Sequence, residues 1–255
     1  MLNETYSIVL AIFAASAAGL VGAFALMKKT VLAGDVMSHV AIPGIGLAFI
    51  WQTNPLIGGA LTLFLGAFVI SRLEHRTTLS SEAAIGVIFA ASVALGALLI
   101  NSEEELIDAL FGGFGKLSRG EFIFGIVSSI LIVAALWVLR NKLIISLFSK
   151  DLAASIGINV RVLNFLFLLL FSLAILLGLR FLGALLAGAL IIVPASAARQ
   201  LSHSLGLFLA LSMFLSILSI VLGFVISSAY GLDLGPTIVV VASAIFAFSL
   251  LKKKN

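Results

Sequence analysis

Nine long apolar segments, separated by short stretches that hold most of the charged residues, constrain the fold of this chain more than any other feature. Of its 255 residues, 62% are hydrophobic and 10% are charged. A water-soluble domain of this length has too little interior to bury so much apolar surface, whereas about 20 apolar residues are enough for a helix to cross a bilayer. The sequence therefore predicts an all-α integral membrane protein, a polytopic bundle of about eight or nine transmembrane helices.

Charged residues and turn-forming residues mark the boundaries of the predicted spans. The spans are 6–27, 30–51, 55–71, 83–100, 122–139, 162–179, 181–198, 205–227 and 236–251. The sixth and seventh are separated by little more than Arg180, which predicts a tight turn there. No basic segment or cleavage site precedes the first run, so we expect it to be an uncleaved span. Residues 1–255 form a single transmembrane domain in this interpretation.

Basic residues orient the predicted bundle, because the loops of membrane proteins that face the cytoplasm are enriched in Lys and Arg. With the C-terminus in the cytoplasm, twelve of the 15 Lys and Arg residues fall in inner loops and three in outer loops, namely Lys116, Arg119 and Arg180. The prediction is a multi-pass protein of the plasma or inner membrane with its N-terminus outside. The basic residues are scattered over short loops, so they do not indicate nucleic-acid binding. The acidic outer loop 101–121 is either a solvated face or a surface for cations or an extracytoplasmic partner.

The second span contains ionisable residues at a regular spacing. Asp35 and His39 are four residues apart, and Pro43 follows after four more. Residues at this spacing share one helical face. If the span starts near Thr30, His39 lies ~13–14 Å along the helix, close to the middle of a hydrocarbon core that is ~30 Å thick. Imidazole and carboxylate groups suit zinc, manganese or ferrous iron, so the pair is a candidate metal site.

Two prolines predict irregularities in the spans. Pro43 has no N–H, so the carbonyl of residue 39 loses its helical partner, and Gly44 adds flexibility at the same point. The segment would then offer a carboxylate, an imidazole and a carbonyl oxygen. Pro194 is predicted to kink the seventh span and to mark an inner gate.

The residues also permit a simpler interpretation of the Asp–His pair. If the span starts at Val36, Asp35 is an ordinary N-cap and His39 is a neutral imidazole bonded to a neighbouring helix. The residues alone leave both interpretations open. His75 and His203 lie in predicted inner loops beside arginines, where we expect them to be solvated.

The inner stretch "RNKLIISLFSKDLAASIGINVR" predicts a short helix. Ser149 is a suitable N-cap, Asp151 falls in the first turn, and Gly157 suits the position after the last turn. A helix of about seven residues is marginal alone and needs a surface, either a partner or the membrane interface.

No nucleotide-binding loop of the form GxxxxGK[ST] occurs, and we find no enzyme site. ATP energy would have to come from another chain. The chain has no cysteine, so thiolate ligands are excluded.

Four stretches, in order, resemble the permeases of zinc/manganese-type ABC importers. They are "GDVMSHVAIPGIGLAF", "SKDLAASIGINVRVLNFLFLLL", "FLGALLAGALIIVPASAARQLS" and "LDLGPTIVVVAS", and the resemblance extends from about residue 21 to residue 251. It implies a type II ABC importer-like fold and inward transport of a divalent metal ion, zinc or manganese with iron as a further candidate, and no permanently bound cofactor. The implied partners are a second copy of the chain, cytoplasmic ATP-binding subunits and an extracytoplasmic metal-binding protein, all around a lipid-embedded bundle.

The resemblance also implies roles for individual residues. Asp35 and His39 would line the metal path, and two copies about a two-fold axis would supply two nitrogens and two oxygens. The ATPase-coupling segment would comprise Ser149, Asp151, Ala154, Gly157 and Ile158. Two other functions remain open, a proton-coupled secondary cation carrier that uses Asp35 and His39 as a relay, and a membrane scaffold without transport activity.

Overall fold

The fold is a bundle of α-helices in a computed structural model that describes residues 2–30, 32–76, 81–100, 102–112 and 117–251. Within these residues the chain forms eleven helices and no strand. The helices are α1 (Leu2–Met27), α2 (Leu32–Val40), α3 (Ile42–Ile50), α4 (Pro55–Arg76), α5 (Ser81–Leu99), α6 (Glu103–Phe111), α7 (Arg119–Phe148), α8 (Lys150–Ser155), α9 (Val160–Leu201), α10 (Leu205–Tyr230) and α11 (Leu234–Leu250).

The apolar helices account for all nine predicted spans. Five are long and apolar enough to cross a membrane: Tyr6–Met27, Pro55–Leu73, Arg119–Phe148, Val160–Ala184 and Leu205–Tyr230. Four shorter apolar helices are Val36–Ile50, Ala83–Leu99, Leu186–Leu201 and Leu234–Leu250. The predicted fold class, a polytopic helical membrane bundle, is therefore confirmed.

The long helix α9 folds back on itself at Gly183, where φ is 67° and ψ is −179°. A Cβ atom built on Gly178 would lie 3.3 Å from the Cβ of Ala187. Nine residues along a straight helix span ~13.5 Å, so the two arms of α9 must be antiparallel. The predicted turn at Arg180 is thus displaced by three residues. The reversal needs dihedral angles that are essentially restricted to glycine, and Arg180 remains within the first arm.

The core forms around α1, which packs against α7, α9 and α10. Small residues on α1 let its neighbours approach closely. A Cβ on Gly19 would meet the α10 backbone at Ser212, and a Cβ on Gly22 would overlap the carbonyl of Ile191 on α9. The Ser212 hydroxyl donates to the Gly19 carbonyl at 2.5 Å, which links α10 to α1 inside the bundle. Such small-residue contacts and interhelical hydrogen bonds are the usual means of packing helices in a bilayer.

The interhelical turns gather at two ends of the bundle. We call the end with residues 28–30, 149–159 and 199–204 the basic end, where Lys28 Nζ donates to Asn164 Oδ1 at 2.7 Å. We call the end with residues 51–54, 102–112, 117–118 and 231–233 the acidic end, where Asn54 Nδ2 donates to Glu121 Oε1 at 2.7 Å. Each end therefore carries turns that the predicted topology places on one side of the membrane.

Helix α7 is longer than the sequence predicts. The predicted span ends at residue 139, whereas α7 continues to Phe148, two to three turns further. Arg140 and Lys142 set the predicted boundary, but these residues are good helix formers and can extend a helix beyond the membrane core. Most of the predicted inner loop is therefore helical, first as α7 and then as α8.

Candidate functional site

The second predicted span is interrupted between α2 and α3. At the interruption the Ala41 N–H donates to the Ser38 carbonyl, only three residues back, at 3.3 Å. Pro43 lies in the first turn of α3 and has no N–H to donate to the carbonyl of His39. The Ala41 carbonyl accepts from the Ile45 N–H at 3.0 Å and from Thr62 Oγ1 on α4 at 3.4 Å. The chain thus satisfies the Ala41 carbonyl at the break with a neighbouring helix.

Asp35 and His39 both lie within α2. Since α2 begins at Leu32, Asp35 is not at the N-cap, and that alternative is wrong for this structure. The side chain of Asp35 lies outside the described residues. His39 is half-buried, and its ring meets Phe89 of α5 edge-on, with centroids 5.3 Å apart. The buried Ser38 places its Oγ 3.4 Å from His39 Nδ1.

The surroundings of α2 place His39 among transmembrane helices. Helix α2 packs chiefly against α9 and α5, and also against α4. Among the side chains that the structure describes, no three His, Asp or Glu residues come together. The described side chains therefore do not by themselves supply three such ligands around His39.

The residues predicted to break or gate helices occupy different environments. Gly44 is buried inside α3, and a Cβ there would overlap the carbonyl of Gly58 on α4, so the glycine permits a close crossing of these two helices. Pro194 is buried in the second arm of α9. Helix α9 continues through Pro194, and the residue within α9 that leaves helical dihedral angles is Gly183 instead.

The predicted inner helix is present as α8, at the basic end. Ser149 is its N-cap and accepts from the Leu152 N–H at 3.1 Å, while Asp151 lies in the first turn. Gly157 follows the helix with φ 80°, a conformation that favours glycine. Of the remaining residues of the predicted coupling segment, Ala154 is exposed and Ile158 is partly buried against the core.

An apolar stripe is left exposed beside α8. Phe148, Leu152 and Ile156 follow one another at intervals of four residues, and their exposed fractions are 84%, 54% and 55%. Charged and polar residues would be expected at these positions if the surface faced only water. We call these three residues the basic-end stripe.

At the acidic end, part of the predicted outer loop is a helix, α6, that the sequence pattern did not predict. Ser102 caps α6, and its first turn holds Glu103, Glu104 and Glu105, where acidic side chains favourably oppose the helix dipole. Burial, and secondarily the charge of Glu104, raise the pKa of Asp108 above its usual value. Much of the acidic run is thus explained by the needs of a short helix.

Helix α6 rests on the reversal of α9. The backbones of Gly112 and Gly183 approach so closely that a Cβ on Gly183 would overlap the backbone of Leu110 and Gly112. Beside this contact a cavity of about 1160 Å³ opens among α1, α6, α9, α10 and α11, lined by residues that include Ser7, Phe111, Arg180 and Asp233. Ser7, Arg180 and Asp233 give this cavity a partly polar wall.

Asn54, Glu121 and Arg180 form a polar cluster that the sequence pattern also did not predict. Arg180 Nη2 lies 3.9 Å from Glu121 Oε2, and the same carboxylate accepts from Asn54 Nδ2 at 2.7 Å and from the Ser118 N–H at 3.0 Å. The cluster ties α7 and α9 to the residue that precedes α4. A sequence signal existed, because Ser118 and Glu121 have the S-x-x-E spacing of a capping box.

Of the two remaining histidines, the structure describes the side chain of His203, which lies away from the candidate site. His203 is exposed after the end of α9, at the basic end. His75 lies near the end of α4, and its side chain lies outside the described residues.

Arg180, which was predicted in an outer loop, is instead largely buried within a helix.

Comparisons with known proteins agree with the resemblance carried by the four motifs. The model of the family described as ABC 3 transport family matches residues 4–253. The high-affinity zinc uptake system membrane protein ZnuB of Haemophilus influenzae is 29% identical over 92% of this chain and 91% of its own length. The manganese transport system membrane protein MntC of Listeria innocua is 28% identical over 91% of this chain and 84% of its own. The structure of PsaBC from Streptococcus pneumoniae in complex with Fab superposes with a TM-score of 0.83 at 28% identity, over 96% of this chain and 90% of that one.

Proposed function

Because the chain belongs to the ABC 3 transport family, we propose that it is the membrane-spanning permease subunit of an ATP-driven importer for divalent metal ions, zinc or manganese. The observation that carries this proposal is the family match over residues 4–253, nearly the whole chain. The zinc and manganese relatives match 92% and 91% of the chain. Iron is a further candidate substrate, because its donor preferences overlap with those of zinc and manganese.

The proposed metal path runs along α2. Asp35 and His39 are one turn apart in this helix, and the helix is interrupted two residues after His39. Oxygen and nitrogen donors of these types bind zinc and manganese. Ionisable groups within a membrane span are expensive to bury, so their presence supports a functional role. The metal is cargo in this mechanism, and no permanently bound cofactor is proposed.

A second copy of the chain would complete the site. Two copies of Asp35 and His39 around a two-fold axis provide four side-chain donors, enough for a tetrahedral zinc site or part of a larger manganese shell. Pro43 and Gly44, directly after the interruption, would let α3 move relative to α2. Pro194 would mark an inner gate in the second arm of α9.

The proposed ATPase-binding surface lies at the basic end. The basic-end stripe exposes three large apolar side chains on and beside the short helix α8. A helix of six residues has little stability of its own, so a bound partner would hold it in place. The basic residues near this end support a cytoplasmic location, where ATP-binding subunits would be available. The acidic end would then face outward and receive metal from an extracytoplasmic binding protein.

Reconstituted transport tests the proposal. In proteoliposomes with the ATPase subunits and ATP, we expect uptake of radiolabelled zinc or manganese, and none without ATP. In the Asp35→Ala/His39→Ala double variant, we expect uptake to reach background and metal affinity to fall by at least about 10–100-fold, the loss typical of removing even an outer-shell partner. His203→Ala is the matched control, since it removes an imidazole at the basic end and should preserve uptake.

Two results would contradict the proposal. Unchanged uptake in the double variant would remove Asp35 and His39 from the metal path. Uptake that follows a proton gradient without any ATPase would favour the secondary carrier instead.

A further inference from the structure

A second cavity, of about 500 Å³, lies between α4 and α7 on the side of the bundle that faces lipid. Its floor is formed by Leu10 of α1 together with Leu176 and Leu177 of α9. Its walls are apolar residues of the two flanking helices, Leu56, Ile57, Ala60, Leu61, Phe64 and Phe124. We call this cavity the α4–α7 groove. Ile57, Leu61 and Phe124 are more than half exposed, so no other part of the chain that the structure describes covers the groove at these residues.

The length of the groove matches one leaflet of a bilayer. Along α4 the lining extends from Asn54 to Phe64, ten residues or ~15 Å of helix. Half of a hydrocarbon core is also ~15 Å. A transmembrane helix from a partner would need to continue across both leaflets, whereas an acyl chain ends near the middle. The groove therefore has the depth of a single lipid tail.

The polar residues of the groove are concentrated at its acidic end. They are Asn54, Glu121 and Arg180, and the remainder of the lining is apolar or glycine. The exposed fractions of the Arg180 and Glu121 side chains are 9% and 19%, so both charges lie in a largely desolvated setting. One positive and one negative charge side by side have no net charge. They complement a head group that also carries one charge of each sign, because a guanidinium binds phosphate and a carboxylate binds an ammonium group.

We propose that the α4–α7 groove binds a zwitterionic phospholipid of the phosphatidylethanolamine type. One acyl chain fills the apolar groove down to Phe64. The phosphate lies at Arg180 and the ammonium group at Glu121, within the polar cluster at the acidic end. An anionic phospholipid such as phosphatidylglycerol offers no ammonium group to Glu121, so the site discriminates against it. The bound lipid completes the packing between α4 and α7.

Native mass spectrometry of the purified protein tests this site without reference to transport. The protein is reconstituted in nanodiscs of equal phosphatidylethanolamine and phosphatidylglycerol and then released into detergent. We expect one phosphatidylethanolamine retained per chain, in preference to phosphatidylglycerol. Equal retention of the two lipids by the wild-type protein, or retention of neither, would overturn the proposal, and this measurement needs no variant.

Two variants, each replacing an alanine by phenylalanine, locate the lipid. Ala60 lines the groove, and Ala60→Phe should fill it and reduce retention about tenfold, equivalent to about 1.4 kcal/mol. Ala134 is exposed on α7 outside the groove, and Ala134→Phe should leave retention unchanged. Wild-type retention in a folded Ala60→Phe variant would refute the location. If Ala60→Phe instead changes the oligomeric state without changing lipid retention, a second copy covers the groove and the proposal is wrong.

Glu121→Gln tests the assignment of the head group. This change keeps the size of the side chain and removes its negative charge. The preference for phosphatidylethanolamine over phosphatidylglycerol should be lost, while the total amount of bound lipid changes less. A preference that persists in Glu121→Gln would show that the carboxylate does not bind the ammonium group.

Discussion

Gly183 illustrates how much of this fold depends on a single residue. Its dihedral angles belong to a region that other residues enter only with strain, and it has no space for a side chain against Leu110 and Gly112. The same residue reverses α9 and seats α6 on the reversal. Two of the nine spans and the outer helix therefore meet at one glycine.

We predict that Gly183→Ala destabilises the protein by more than the ~1–3 kcal/mol expected from the dihedral angles alone, because the new Cβ also overlaps the α6 backbone. The measurement is the thermal unfolding midpoint of the detergent-solubilised protein, followed by size-exclusion chromatography. Gly86→Ala is the control, since Gly86 lies in α5 with open space around it. That change should be neutral or stabilise by about 0.5–1 kcal/mol. Equal midpoints for the two variants would contradict this account.

One interrupted span and one very short helix differ from the long, continuous spans. The pair α2 and α3 is one apolar segment divided at Ala41, and α8 is a six-residue helix with exposed apolar neighbours. Neither is stable as an isolated helix. The surrounding spans hold α2 and α3 in place. Helix α8 has an exposed apolar face, so it depends more on a partner.

At α8 we predict that Leu152→Glu weakens association with the ATPase subunits by about tenfold or more, as expected when an apolar anchor at an interface is replaced. The permease itself should stay folded, because 54% of the Leu152 side chain is exposed. Co-purification of the tagged permease with the ATPase measures the effect. Ile107→Glu makes the same kind of change at the acidic end, where Ile107 is 57% exposed, and should leave ATPase association intact. A loss with Ile107→Glu, or none with Leu152→Glu, would place the contact elsewhere.

The whole molecule has two ends of different charge, and the alternation of its spans brings the turns of each kind together. Lys28 and Asn164 meet at the basic end, and Asn54 and Glu121 meet at the acidic end. The agreement between charge and topology supports the proposed orientation, in which the basic end faces the cytoplasm.

Single cysteines can establish this orientation, since the chain has none of its own. Tyr230→Cys lies at the acidic end and Leu251→Cys follows α11 toward the opposite end, and both native side chains are exposed. In intact cells, a membrane-impermeant maleimide should label Tyr230→Cys. It should label Leu251→Cys only after lysis. The reverse pattern would mean that the proposed topology is inverted. Labelling of both variants in intact cells would show that the C-terminal end of α11 is not on the cytoplasmic side.

Much of the fold was predictable because membrane spans follow from local composition. All nine apolar segments, the cap at Ser149 and the helix end at Gly157 were inferred from runs of apolar residues and from short-range preferences. The extension of α7 to Phe148 was not, because charged residues that end an apolar run do not end a helix. The family was also accessible from four motifs in order, and the match over residues 4–253 confirms it.

The candidate site was only partly accessible in this way. The spacing of Asp35, His39 and Pro43 identified the segment, and their roles stay a prediction. The contact of His39 with Phe89 joins residues on separate helices, and the pairing of Glu121 with Arg180 joins residues 59 positions apart. No local pattern encodes such contacts.

The apolar and charged residues along this chain were sufficient to specify a polytopic helical protein with nine apolar segments, because the bilayer imposes the same length and polarity requirement on every span. The folded arrangement was needed to reveal the polar cluster at Glu121, the reversal at Gly183 and the α4–α7 groove. Each of these depends on which helices are neighbours, and that is settled by side-chain packing between distant segments rather than by local composition.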